Sequence, residues 1–274
     1  MSITINTNTL AMTTRRNLGT NQDGLATAMA RLSSGLRINK AGDDAAGMAI
    51  AARMETQIRG MGVAQRNSAD AISLVQVAEG ALGQVSNMLQ RMRELAVQAA
   101  NPTAATADKA NLDAEFQQLG QEVTRTIANT QFNGISIIAS GAGTNSYQVG
   151  PNSTDQVSVV TTNLSSASQI TNVTSGAVTT VTAASSAMVN IDAALTTVNT
   201  QRALMGAVQN RFAAIIDVLQ VNQENTAAAK GRIMDADFAE ETANLSRSQI
   251  LQQAASAMVA QANSLPQLAL QLLR

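Results

Sequence analysis

Residues 75–100 read VQVAEGALGQVSNMLQRMRELAVQAA, and their spacing decides the fold. Val75, Ala78, Leu82, Val85, Leu89, Met92, Ala96 and Ala99 recur at alternating steps of three and four. Such a heptad line keeps one apolar edge along a helix, and that edge requires a partner helix to cover it. The helical pattern reaches back to Asp43 and forward to about Ala100. Pro102 stops it, because proline disfavours helix at the residue before it. At a rise of 1.5 Å per residue the helix spans about 85 Å, beyond an ordinary globular core, so a rod is expected.

Partner segments follow on the same logic. Leu112, Phe116, Leu119, Val123 and Ile127 predict a second helix over residues 104–129 that folds back antiparallel on the first as a two-helix hairpin. Met188, Ile191, Leu195, Val198, Arg202, Met205, Gln209, Phe212, Ile216 and Leu219 repeat the three-four alternation and supply a matching seam over 186–230. Two outer helices have narrower stripes. From about Thr7 to Leu36 the apolar line is Leu18, Leu25 and Leu32, with Met29 beside it. After Asp235 come Phe238 and Leu245, then Leu251, Met258 and Leu265 seven apart with Ala255 and Ala262 alongside, and Pro266 perturbs the helix before LALQLLR. Neither outer helix has enough apolar surface to stand alone.

Between these helices lie breaks. Gly35 to Gly47, GLRINKAGDDAAG, reads as a hinge followed by a cap, with Asp43 and Asp44 placed to complement the next helix N-terminus. An anion site there is the rival reading, without the GK[ST] signature of a phosphate loop. Lys230, Gly231 and Arg232 are expected to end the later long helix. From Asn133 to Ser186 the only charged residue is Asp155, and short β-like runs at Ile135–Ile138, Tyr147–Val149 and Val157–Val160 are divided by Gly-Ala-Gly and Gly-Pro-Asn turns. One or two small β-hairpins are expected, then a polar, loosely structured stretch to about Ala183. The fold class is mainly α: a long-helix coiled-coil bundle with a small β-hairpin insert, plus a paired N/C-terminal helical domain. The expected division is 1–42 with 233–274 as an inner terminal domain, and 43–232 as the bundle, including the insert 133–185, with no outer domains.

Composition narrows the function classes. The 274 residues hold no His, no Cys and no Trp, with one Tyr and four Phe. Without His and Cys there is no Ser-His-Asp triad, thiolate nucleophile, His or Cys zinc ligand or disulfide, so no catalytic residue, metal ligand or cofactor site is expected and the chain is read as a non-enzyme. Net charge is −1, which gives no nucleic-acid footprint. Residues 1–40 carry Arg15, Arg16, Arg31, Arg37 and Lys40 against Asp23, whereas residues 235–274 carry Asp235, Asp237, Glu240 and Glu241 against Arg247 and Arg274. Ends of opposite sign attract. No stretch of about 20 residues is continuously apolar, so no membrane span is expected, and MSITINTNTLAMTTRR lacks the pattern of a cleaved secretory signal.

Several motifs are similar to those of one family. RLSSGLRINKAGDDAAGMAIAARM at Arg31 to Met54, RMRELAVQAAN at Arg91 to Asn101 and TQFNG at Thr130 to Gly134 resemble the N-terminal part of bacterial flagellin. GAVQNRF at Gly206 to Phe212 and GRIMDADFAEETANLSRSQILQQA at Gly231 to Ala254 resemble its C-terminal part. The resemblance implies a structural subunit that polymerises into the flagellar filament for motility. It also implies terminal helices that fold on assembly and line the export channel, and export without cleavage by a type III route to the extracellular filament. Implied partners are further copies of the chain, an export chaperone, the filament cap and junction proteins and a host toll-like receptor.

The same resemblance assigns residues. Inner-domain packing falls, by seven-residue spacing, to Leu18, Leu25, Leu32, Leu251, Met258 and Leu265, and the resemblance puts the chaperone site at Leu245, Ile250, Leu251 and Leu273. Receptor recognition falls to Arg91, Leu95 and Glu115. Leu95 lies one step off the Ala96 seam line, so it is either buried between subunits or exposed on the free monomer. Ser140 to Ser186 is rich in Ser and Thr and suits O-linked glycans only weakly, and the sequons at Asn152 and Asn172 read as chance. The rival readings are a hook-filament junction protein, which shares the paired-terminus plan, and a surface glycan-binding protein using Tyr147.

Overall fold

The computed structural model describes residues 7–271, and for 265–271 the helical backbone alone. In chain order the elements are α1 (Thr9–Ser34), α2 (Ala45–Ala99), α3 (Thr106–Asn129), β1 (Gln131–Phe132), β2 (Ile135–Ser136), β3 (Thr144–Gln148), β4 (Gln156–Val160), α4 (Ser168–Thr174), α5 (Val181–Met234) and α6 (Phe238–Gln271). The chain divides into two compact units, Gln57–Glu224 and the two flanking portions up to Thr56 and from Asn225.

In the central unit the α2 seam is the core. Val75, Ala78, Leu82, Val85, Leu89, Met92, Ala96 and Ala99 are all buried, as their heptad spacing requires. Ile191, Val198, Met205 and Phe212 of α5 and Phe116, Val123 and Ile127 of α3 join the same apolar cluster. Charged pairs cross between α2 and α5 at the cluster's edge: Arg93 grips Asp192 through Nε (2.7 Å) and Nη2 (3.2 Å), and Arg202 Nη2 meets Glu79 Oε1 at 2.8 Å. These exposed pairs fix register more than they stabilise.

The insert is built onto this bundle by its own turn chemistry. Asn133 and Gly134 both have positive φ, 51° and 76°, which the tight two-residue connection between β1 and β2 demands. β3 and β4 pair antiparallel from Thr144 opposite Val160 to Gln148 opposite Gln156. Val157 and Val159 turn inward while their neighbours face out, the two-residue period of a half-buried strand. Tyr147 meets Phe212 of α5 edge-on, ring centroids 5.9 Å apart and planes at 83°, the arrangement favoured by ring quadrupoles. Burial against α5 pushes the Tyr147 hydroxyl above its ordinary pKa. Asn67 Nδ2 of α2 donates to the Gln148 carbonyl at 3.0 Å. At Gly60 the turn after β3 comes so close that a Cβ would lie 2.9 Å from Pro151 Cβ.

Four sequence expectations are corrected. The stretch from 161 to 183 is not loose: it contains α4, and Leu164, Ile170, Val173 and Val178 are buried. Gln117 Nε2 donates to the Gly176 carbonyl at 2.6 Å and the Val178 amide to Asp113 Oδ1 at 2.7 Å. Four apolar residues in an aperiodic, Ser/Thr-rich run escape a periodicity test, yet they suffice to pin the segment to α3. Lys230-Gly231-Arg232 does not end the helix either, since α5 continues to Met234. One interior glycine costs about 1 kcal/mol, and Lys230 Nζ is held by Glu55 Oε2 at 2.6 Å. The third correction concerns the cap of α2. Asp44 alone serves it, accepting from the Gly47 amide at 2.8 Å, while Asp43 closes the preceding loop. Finally, α1 starts and stops two residues inside its expected bounds, capped by Asn8, whose side chain accepts from the Ala11 amide, and by Gly35 at φ 71°.

Truncating Phe212 removes the ring on which β3 and α2 both depend. Phe212→Ala is expected to lower unfolding stability by about 3–5 kcal/mol in urea titration. Val218→Ala, on the exposed side of the same helix, should stay within about 0.5 kcal/mol.

Candidate interaction surfaces

The flanking unit is an antiparallel pair of helices, fixed at both ends. Asn8 Nδ2 donates to the Ala262 carbonyl at 2.8 Å, and Arg31 Nη1 to Glu241 Oε1 at 2.8 Å. The seam of α1 runs Ala11, Thr14, Leu18, Asn21, Leu25, Ala28 and Leu32, of which only the two alanines are buried. Facing it on α6 are Glu241, Leu245, Ser248, Gln252, Ala255, Val259 and Ala262, with Glu241, Ala255 and Ala262 buried. Small residues at the closest points let the helices approach, and polar residues between them leave the seam half wet. The attraction expected between oppositely charged ends takes the form of the Arg31–Glu241 pair.

Beyond the helix ends, the loops are clipped together. Leu36 and Asp235 form an antiparallel bridge. Arg37 donates its amide to the Met234 carbonyl at 2.6 Å and its Nη2 to the Ile233 carbonyl at 2.6 Å, while the Ala236 amide donates to Gly35 O at 3.0 Å. Asp43 Oδ2 accepts the Lys40 and Asn39 amides, both at 2.9 Å. Those two bonds hold its carboxyl below the usual carboxylate range.

Around this seam, apolar side chains stand in the open. Leu10, Met12, Met29, Phe238, Ile250, Leu251 and Met258 are all exposed. Isolated exposed apolar residues are ordinary, but seven on one helix pair mark a surface that association can dry.

A second surface lies on the central unit. Arg91 Nη2 meets Glu115 Oε1 at 2.8 Å, joining α2 to α3, and Arg91 Nη1 meets Glu94 Oε2 at 3.0 Å. These hydrogen bonds, that to Glu115 first, raise the Arg91 pKa and keep it charged. Leu95 is only 1% exposed and belongs to the core cluster. The structure thus brings Arg91 and Glu115 together at the surface and places Leu95 beneath them, in the chain's own core.

The residues assigned to inner-domain packing separate into groups. Leu18, Leu25 and Leu32 are half-buried in the seam, whereas Leu251 and Met258 are exposed beside it. The Leu265 side chain and Leu273 lie outside the described residues. Of the residues assigned to the chaperone, Leu245 is half-buried and Ile250 is exposed. On α6 two heptad lines run one residue apart, and the line with alanines at 255 and 262 is the one that packs. Sequence reasoning missed Asn8, Arg37 and Glu241, and the only signal was an asparagine before a helical run and the opposed charges. Among the described residues no group of three or more carboxylates could hold a metal ion, and no helix is long and apolar enough to cross a membrane.

Replacing Arg31 leaves Glu241, with 8% of its side chain exposed, without its cation. Because Arg31 itself is partly solvated, Arg31→Ala is expected to destabilise the helix pair by about 2 kcal/mol. Amide exchange in α1 and α6 reads this, and Arg247→Ala, outside the seam, should leave it unchanged.

Comparisons with known proteins bear on these surfaces. The profile of the bacterial flagellin N-terminal helical region matches residues 5–144, and that of the C-terminal helical region matches residues 188–273. The chain is 47% identical over 270 residues to a flagellin of Halalkalibacterium halodurans, covering 98% of this chain and 99% of that protein. It is 39% identical over 304 residues to a flagellin of Bacillus subtilis, again covering 98% and 99%. Among solved structures, the crystal structure of Bacillus cereus flagellin is similar with a TM-score of 0.52 and 32% identity, over 60% of this chain and 94% of that one.

Proposed function

Since this chain belongs to the bacterial flagellin family, we propose that it is the structural subunit of a flagellar filament, a helical polymer of identical chains that serves motility, and that it carries out no catalysis. The observation that carries this is the α1/α6 pair, whose seam is half wet and whose flanks expose seven large apolar side chains. A pair of that kind gains stability when neighbouring copies dry it. The polymer is extracellular, and its subunits reach it through the flagellar export route.

The two ends and the bundle divide the work. Residues 1–42 with 233–274 act as the inner domain, lining the export channel and folding fully only on assembly, while 43–232 form the surrounding tube. The helix breaks at residues 35–44 and 235–237 support that division. An export chaperone takes the α6 region from Leu245, through Ile250 and Leu251, to Leu273 before assembly, and cap and junction proteins meet the same terminal helices. Dilution and salting-out should yield filaments with a central channel in electron micrographs. In the monomer, amides of α1 and α6 should be protected less than those of α2, α3 and α5; equal protection throughout would sink folding on assembly.

Recognition by a host toll-like receptor uses Arg91 and Glu115 directly on shed monomer, with Leu95 supporting them from below. Arg91→Ala and Glu115→Ala should each reduce a receptor-reporter response while altering thermal stability little, since surface pairs contribute about 1 kcal/mol or less. Leu95→Ala should instead destabilise the bundle by about 2–5 kcal/mol. A full response from both surface variants would refute the contact.

A further inference from the structure

Among the described methionines, the exposed ones all lie in the flanking unit, where Met48, Met54 and Met234 are half-buried. Met61, Met92 and Met205 are buried in the central unit, and Met88 and Met188 are half-buried there. Met12, Met29 and Met258 are 65%, 57% and 55% exposed, and all three lie on the α1/α6 pair. Every exposed large apolar residue of the central unit is instead a Val, Ile or Leu, among the described residues. Each exposed methionine stands next to a seam position: Met12 follows Ala11, Met29 follows the buried Ala28, and Met258 precedes Val259.

From this placement we infer that Met12, Met29 and Met258 are oxidation-sensitive modification sites spread along the helix pair, at which a two-electron oxidant of the peroxide class acts on the unassembled chain and blocks its polymerisation. The inference rests on the filament reading and adds a chemical control to it. With no Cys and no Trp in the chain, exposed thioethers are its most readily oxidised side chains. The sulfur lone pair attacks one peroxide oxygen, the S–O bond forms as the O–O bond breaks, and the other oxygen leaves as water once protonated. Sulfur gives up two electrons, the peroxide accepts them, and a sulfoxide results. A flexible apolar side chain becomes a strong hydrogen-bond acceptor. Water solvates that acceptor on the free chain, and drying the helix pair against a second copy strips that water away, which costs free energy wherever no donor replaces it. Sulfoxide reduction reverses the change.

The full chain is treated with hydrogen peroxide as monomer and as salted-out filament, sulfoxides are mapped by peptide mass, and the critical concentration for polymerisation is measured. In the monomer, Met12, Met29 and Met258 should oxidise well before Met61, Met92 and Met205, and in the filament they should be protected. Oxidised monomer should show a critical concentration raised at least about tenfold, restored by methionine sulfoxide reductase. The triple variant Met12→Leu, Met29→Leu, Met258→Leu is measured before and after peroxide, and its critical concentration, whatever its starting value, should not move on treatment. Equal oxidation of these sites in monomer and filament, or an unchanged critical concentration after their oxidation, overturns the inference while leaving the filament reading intact. So does a peroxide effect that persists in the triple variant. Failure of untreated wild-type chain to polymerise overturns both.

Discussion

Everything in the central unit depends on one unbroken apolar edge, the eight seam residues of α2 from Val75 to Ala99, none more than 1% exposed. A helix of 55 residues in water has no internal reason to stay apolar along one line; its stability comes from what covers that line. α5 and α3 cover it, and the insert closes what remains through Tyr147, Val157 and Val159. Because three of the eight seam residues are Ala and the rest aliphatic or Met, the helices approach closely with very few aromatic rings. Phe212 and Phe116 are the bulky exceptions, fully buried where strands or a second helix leave more room.

The helix pair of the flanking unit follows the opposite rule. Its seam alternates Ala and Leu with Thr, Asn, Ser and Gln, and an ion pair sits at one end of it. Such a seam specifies register and antiparallel direction more strongly than it stabilises, since each buried polar group has to keep a partner. Stability is left to contacts the single chain does not make.

The surface carrying Arg91 and Glu115 belongs to the first kind of structure. The arginine bridges α2 and α3, and the leucine one turn along is buried in the core of the bundle. A partner reading this patch therefore reads packing as well as charge. The exposed methionines belong to the second kind, because they stand on the helix pair beside its half-wet seam.

Heptad spacing alone determined the long helices, their antiparallel return and the seam positions on α2 and α5, because a buried edge must repeat with the helix period whatever it packs against. The hairpin turn at Asn133-Gly134 was not read from the sequence, although Asn-Gly tolerates the positive φ that a tight hairpin needs. Only the tertiary structure decided which of two neighbouring lines on α6 faces α1, that Leu95 lies inside the bundle, that Gly231 does not interrupt α5 and that residues 161–183 are pinned to α3. In each of these cases the local sequence permits both outcomes, and in three of them the choice is made by identified residues distant in the chain: Ala11 and Ala28 for α6, α3 for the segment around α4, and Glu55 for the end of α5. Those pairings leave no period in the sequence to read.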